Sequence, residues 1–204
     1  MIIVLVRVTV PGNRTRLTAF FSHFIDIMAP KQDQKLWHDI VDRVNYEWRH
    51  LHPEEKDWVS THGARLATLQ RELHQLFLDV GGADLCCDCN GSCCGHGKFH
   101  PNLTNLLICK ILNFPIPDPD FSADCPYIGD LGCLFPPEAR PYNCVSFICE
   151  QIEELFAPSN KEKFYALENE IRGEYALFVE RYTGASMRGL LIRGELLSSY
   201  LGRR

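Results

Sequence analysis

Residues Leu85–Gly97 read LCCDCNGSCCGHG. Five cysteines, Cys86, Cys87, Cys89, Cys93 and Cys94, fall within nine residues, a density no hydrophobic core requires. The use of these thiols decides the fold. Paired as disulfides they staple a small scaffold that lacks a core. Bound to metal they make one irregular section inside a protein whose core lies elsewhere.

The surroundings favour metal. All ten cysteines of the 204-residue chain lie between Cys86 and Cys149, and the flanks have none. Hydrophobic residues make up 46% and charged residues 23%, enough for the flanks to build a core unaided. The net charge is −5 with no long basic run, so nucleic acid is not an expected partner. No run reaches the ~18 apolar residues of a membrane span. The opening MIIVLVRVTV is apolar, but Arg7 interrupts it, no basic residue precedes it and no clean small-residue cleavage site follows. The expectation is a cytoplasmic protein, where thiols stay reduced and clustered cysteines hold metal.

Outward from the cysteines, both flanks read as helical. Residues 33–50 place Leu36, Trp37, Ile40, Val41, Val44 and Trp48 on one face. A second helix is expected from Ser60 to about Val80, with Leu66, Leu69, Leu73, Leu76 and Phe77 as its stripe and Gly81-Gly82 as its stop. The two suit an antiparallel hairpin, and Trp37 and Trp48 read as helix packing. Met28 opens MAPKQDQKLWHDIV like a natural start. Residues 1–27 are accordingly an upstream extension or loose tail, or else a short strand from Ile2 to Val10.

Within the cysteine section, Leu103–Leu112 is a short apolar helix. FPIPDPDFSADCPY carries Pro115, Pro117, Pro119 and Pro126 and is ordered only if something ties it down. A helix is expected over Val145–Phe156. Ser159-Asn160-Lys161-Glu162 reads as a capping box before the stripe Phe164, Leu167, Ile171, Tyr175, Phe178, Val179 and Tyr182. A final amphipathic helix is expected over Met187–Leu201. The fold class is thus mainly α: a helical domain around an irregular, metal-stabilised cysteine-rich section. Residues 1–27 are a tail or strand, 28–84 N-terminal helices, 85–156 the cysteine section and 157–204 C-terminal helices, with 85–156 packed against its flanks as one domain.

Cys86-x2-Cys89 is the spacing that lets two thiolates bind one ion from a tight turn. Cys93 and Cys94 follow. Neighbouring side chains diverge, so either one binds while the other packs, or they serve different metals or different irons of a cluster. Downstream lie Cys125, Cys133, Cys144 and Cys149. Cys144 and Cys149 stand about 1.4 helical turns apart, so a loop-to-helix junction, not one helix, would aim both at one point. The eight thiols suit two four-sulfur sites, one [4Fe–4S] cluster plus a structural ion, or one site with spares. Soft thiolates select zinc or iron–sulfur, and the sequence does not separate the two. Such a site carries negative charge and wants nearby donors. Arg140 is the cation best placed to bind near the cofactor, with Lys98 and Lys110 next; otherwise Arg140 caps a carbonyl or faces water.

The ordered elements CCDCNGSCC, CPY, GC and ARPYNCVSFIC resemble the YkgJ-type cysteine cluster family, a zinc- or iron-chelating domain with a CxxCxxCC-like opening and eight cysteines. The resemblance covers Cys86 to Cys149. It implies metal chelation by Cys86, Cys89, Cys93, Cys94, Cys125, Cys133, Cys144 and Cys149. It does not imply a reaction, although flagellin lysine methylases carry a similar cluster. Where the family shows Leu-Thr-x-x-Glu, Leu103-Thr104 is followed here by Asn105, Leu106 and Leu107, so no acidic role sits there. Pro136-Pro137-Glu138 stands where the family tends to have a tyrosine before Arg-Pro.

Cys109, in an apolar run, reads as a small buried hydrophobe, and Cys87 as a spare. His96 and His100 are secondary ligand candidates, and His38 and His74 surface or core residues. Cys94 with His96 would make a nucleophile pair, but a liganded thiolate is occupied. Gly95-His96-Gly97-Lys98 is too short for a phosphate loop, and no Rossmann-type glycine motif is present. The function expected is a zinc- or iron–sulfur-binding protein with metal as its partner and a protein as a further candidate partner. The competing readings are an iron–sulfur enzyme such as a protein lysine methylase, and a disulfide-stapled extracytoplasmic protein.

Overall fold

A computed structural model describes residues 17–88, 95, 97–130 and 132–204, with the backbone alone for residues 17–30 and Cys87. The N-terminal expectations for residues 1–16 lie outside it. The described chain is mainly helical. Among the described residues no helix is long and apolar enough to cross a membrane.

Helix α1 runs Leu17–His50, continuing upstream of Met28 rather than starting after it. Trp37, Ile40 and Val44, spaced three and four apart, are its buried face. Helix α2 spans Pro53–Asp79, seven residues longer at its start than the sequence suggested. Pro53 begins this helix. Its fixed φ suits the first helical position and it lacks an N–H that would go unpaired there, while Glu54 and Glu55 complement the helix dipole. Gly81, at φ 73°, ends the element as anticipated, and a short helix α3 (Gly82–Asp88) follows it. The main neighbours of α2 are helix α7 (Pro158–Arg181), helix α4 (Leu103–Ile111) and a 3₁₀ turn at Pro137–Ala139. A simple α1–α2 hairpin is therefore not the organising unit.

Helix α4 is enclosed on all sides. Every residue from Leu103 to Cys109 is buried, which a helix sustains only at the centre of a domain. Its start is sealed by two asparagines. Asn105 N–H donates to the Asn102 side chain at 3.4 Å, and Asn102 N–H donates to Asn105 Oδ1 at 2.8 Å. Around α4, one continuous core joins Trp37, Leu66, Leu73, Tyr127, Phe135, Phe164, Tyr175 and Tyr200. The cysteine section and both flanks share it.

The proline-rich loop is tied down from α1. Trp37 Nε1 donates to the Pro117 carbonyl at 3.3 Å, and Asp118 Oδ1 meets Gln34 at 3.0 Å and His38 at 2.9 Å. It leads into a two-residue hairpin, β1 (Ile128–Gly129) with β2 (Gly132–Cys133). Cys133 thus sits on a strand rather than in the turn, and Gly132 takes φ 105°.

Three further expectations are corrected. The single helix over Val145–Phe156 is two short pieces, α5 (Tyr142–Ser146) and α6 (Glu150–Glu153), parted by extended Phe147 (φ −82°, ψ 124°). Ser159 and Glu162 form no capping box, because α7 begins earlier, at Pro158 behind Ala157, with no side-chain cap. Met187–Leu201 is no helix beyond one 3₁₀ turn at Leu190–Arg193. Its backbone groups are claimed from outside. Glu47 of α1 accepts from Tyr200 N–H at 2.9 Å and Leu201 N–H at 2.6 Å, while Thr183 N–H donates to the Gly202 carbonyl at 2.8 Å. Gly194, at φ 65°, leaves the helical region as well.

Candidate metal centre

Of the eight cysteines expected to ligate, Cys86, Cys125, Cys133, Cys144 and Cys149 are described; Cys89, Cys93 and Cys94 lie outside the described residues, as do the Cys87 side chain and His96. Among the described residues, no three Cys, His, Asp or Glu side chains come together as a metal-holding group. What the described residues do show is where the strands of the cysteine section meet.

The meeting point is the segment leaving LCCDCNGSCCGHG. Gly97–Phe99 forms a 3₁₀ turn, closed by His100 N–H to the Gly97 carbonyl at 3.1 Å. At one end, a Cβ on Gly97 would overlap Cys125 Sγ. At the other, His100 Nδ1 lies 3.2 Å from Cys144 Sγ. Thiols 125 and 144 therefore flank the same four residues.

Each flank is held rigidly. Cys125 begins the hairpin: its carbonyl accepts from Ile128 N–H at 3.1 Å, and Leu134 N–H donates to the Tyr127 carbonyl at 2.8 Å. Burial pushes the Cys125 thiol up, opposed by a backbone N–H from Tyr127, and charge on Cys133 adds to the rise. Cys133 is thus an electrostatic neighbour of Cys125. The Tyr127 hydroxyl is buried without a hydrogen-bond partner among the described residues. Burial, then the charges of Cys125 and Asp33, push it above its ordinary range. A close-fitting glycine against one thiol and an orphaned buried hydroxyl beside it suit a place built for a soft ion and its negative ligands.

Cys144 is carried by α5, whose entry is fixed at Arg140. The Arg140 carbonyl accepts three side-chain donors: Gln70 Nε2 at 2.8 Å, Asn105 Nδ2 at 3.1 Å and the Tyr175 hydroxyl at 3.3 Å. Pro141 follows, and its carbonyl accepts Cys144 N–H at 2.8 Å. Tyr142 donates to Glu168 of α7, which also holds Arg172 through two contacts of 2.6 Å. Cys149 is the N-cap of α6, its carbonyl accepting from Ile152 and Glu153 N–H at 3.0 Å each. Extended Phe147 separates the helical turn that carries Cys144 from the one that Cys149 caps.

Arg140 itself caps a carbonyl: its Nε donates to Phe135 O at 3.3 Å. It also stands near His74, whose pKa is lowered by burial first and by the Arg140 charge second. Lys98 pairs with Asp33 and lies over the Phe99 and Phe121 rings at 5.2 and 5.9 Å. Lys110 acts on Cys109, which is fully buried in α4 with its thiol pushed up to about 12 by desolvation. Cys109 is the inert core residue its apolar surroundings suggested.

Sequence reasoning passed over Gly97, Tyr127, Gln70 and Asn105. Asn105 occupies the stretch where the family pattern leads to a glutamate, and its amide reaches both the Arg140 carbonyl and the Tyr175 hydroxyl, the latter at 2.8 Å. The polar residue in an otherwise apolar LTNLLIC run was the available signal. Comparisons with family models, curated proteins and solved structures find no match.

Proposed function

We propose that this chain is a metal-binding cysteine-cluster protein of the YkgJ type, holding zinc or an iron–sulfur cluster in the cytoplasm. Its ligands are drawn from Cys86, Cys89, Cys93, Cys94, Cys125, Cys133, Cys144 and Cys149. The observation that supports this is the Gly97–His100 segment, which issues from the first cysteine group and touches Cys125 at one end and Cys144 at the other. Two thiols far apart in the chain thus meet one short segment. Cys125, Cys133 and Cys149 carry free thiols, the form a metal site draws on.

The bound metal would cross-link the first cysteine group to the hairpin and to α5, so its binding energy becomes folding energy for residues 86–149. Arg140 supports the site through its backbone, as the hub that fixes the approach to Cys144.

Anaerobic purification with metal analysis and an absorption spectrum tests this. A brown protein with broad visible absorption carries iron–sulfur. A colourless one with stoichiometric zinc carries zinc. Absence of both after anaerobic reconstitution, or thiols found paired as disulfides under denaturation, overturns the proposal.

A further inference from the structure

We propose, building on the metal-site assignment, that His100 is itself a ligand and shares one ion with Cys144, so that the centre is a mixed sulfur–nitrogen zinc site. The distance carries the inference. A tetrahedral zinc with bonds of about 2.0–2.1 Å to nitrogen and about 2.3 Å to sulfur holds those two atoms roughly 3.5 Å apart. His100 Nδ1 and Cys144 Sγ stand in hydrogen-bond contact at 3.2 Å, so a shift of a few tenths of an ångström brings them to the spacing of two ligands on one ion.

Both supports are held by hydrogen bonds of their own. The backbone around His100 is pinned by Gly189 N–H to the Phe99 carbonyl at 2.9 Å and Leu190 N–H to the Pro101 carbonyl at 2.8 Å. A Cβ on Gly189 would run into that Phe99 carbonyl, so the approach needs glycine. Behind His100, Asn102 caps the buried helix α4. On the facing side, α5 is anchored by the Arg140 and Tyr142 contacts. Two donors on separately fixed elements, at ligand-to-ligand distance, are a preorganised half-site. Cys144 is exposed, which leaves an ion a way in.

The chemistry balances simply. Cys144 releases its thiol proton to solvent and binds as thiolate. His100 binds through the Nδ1 lone pair as neutral imidazole, with its proton on Nε2. A nitrogen among sulfurs is a common zinc arrangement, whereas iron–sulfur clusters are held mostly by thiolates alone. The histidine thus favours zinc in the choice the cysteines leave open.

The test uses the full chain loaded anaerobically with zinc, comparing wild type, His100→Ala and His100→Cys by X-ray absorption at the zinc edge and by competition with a chromophoric chelator. Wild type should show one nitrogen at about 2.0–2.1 Å beside sulfurs at about 2.3 Å. His100→Ala should lose that nitrogen and at least about 10-fold in affinity. His100→Cys should restore affinity with an all-sulfur shell, and circular dichroism should show the helices intact in both variants. An all-sulfur shell in the wild type, an iron–sulfur cluster as the native occupant, or unchanged affinity in His100→Ala overturns the histidine ligand while leaving a metal-binding protein. A wild type that binds no metal overturns the metal site, and this inference with it.

Discussion

Gly97 lies so close to Cys125 that a single added Cβ would overlap the sulfur. The contact joins the end of the first cysteine group to the start of the β1–β2 hairpin. It is steric, so alanine at 97 must displace the Cys125 sulfur or push the two segments apart. Gly97→Ala is expected to weaken zinc binding by about 10-fold or more, the size of loss typical when a ligand's support is disturbed. Gly173, in α7, has nothing within 4 Å of its would-be Cβ. Gly173→Ala should instead stabilise the fold by about 0.4–1 kcal/mol. Metal competition and urea unfolding of both variants check the contrast.

The cysteines divide by environment. Cys89→Ser and Cys144→Ser should each lose bound metal and expose residues 86–149 to limited proteolysis. Cys109→Ala, in a site with no exposure, should keep the metal and lose about 1 kcal/mol of stability from the small cavity. Equal metal loss in all three would mean the ligands are misassigned.

Asn105 ties together three elements through one side chain. It caps α4, donates to the Arg140 carbonyl and donates to Tyr175 of α7. Asn105→Ala is expected to destabilise the protein by about 2–3 kcal/mol, since buried partners are left unpaired. Chemical denaturation measures the loss. Hydrogen exchange should locate it at residues 137–146, where Gln70 and the Tyr175 hydroxyl would be left to hold the Arg140 carbonyl.

Glu55 anchors the chain end. Arg181 grips it in a fork at 2.7 and 2.8 Å, and the Tyr182 hydroxyl donates at 2.9 Å. The Arg181 hydrogen bonds hold its pKa below the ordinary 4.5, against the upward push of burial, with Tyr182 and the Arg203 charge assisting. The folded state therefore binds this proton less readily than the unfolded chain. Its contribution is complete above about pH 4.5 and is lost as pH falls through the lower folded value. Glu55→Gln should cost about 1.5–3 kcal/mol at neutral pH and flatten the acid limb of stability. Urea titrations at neutral pH and below about pH 4 test both parts.

Helices were legible in three long stretches where a stripe repeats every three or four residues. Trp37, Ile40 and Val44 are buried as their spacing required, and so are Leu66, Leu69 and Leu73, and Phe164, Leu167 and Ile171. The proline loop was legible as irregular, and Cys109 as core. Boundaries were less so: Pro53 and Pro158 each open a helix, and a proline that starts one helix looks locally like a proline that ends another. Met187–Leu201 misled because its amphipathic pattern is real, yet Glu47 captures the backbone N–H groups of Tyr200 and Leu201 from across the fold.

By itself, the sequence determined that the chain is mainly helical and that all ten cysteines fall between Cys86 and Cys149, because helix periodicity and residue composition are local properties. Only the tertiary structure decided that Gly97 seats against Cys125, that His100 faces Cys144 across 44 residues of chain, and that Asn105 and Gln70 fix the approach through Arg140. Those relationships depend on how α2, α4 and α7 pack, and packing is set by the shared core. Thiols near one another in sequence are visible from composition alone. Which partners meet them is settled by the rigid elements that carry each partner into place.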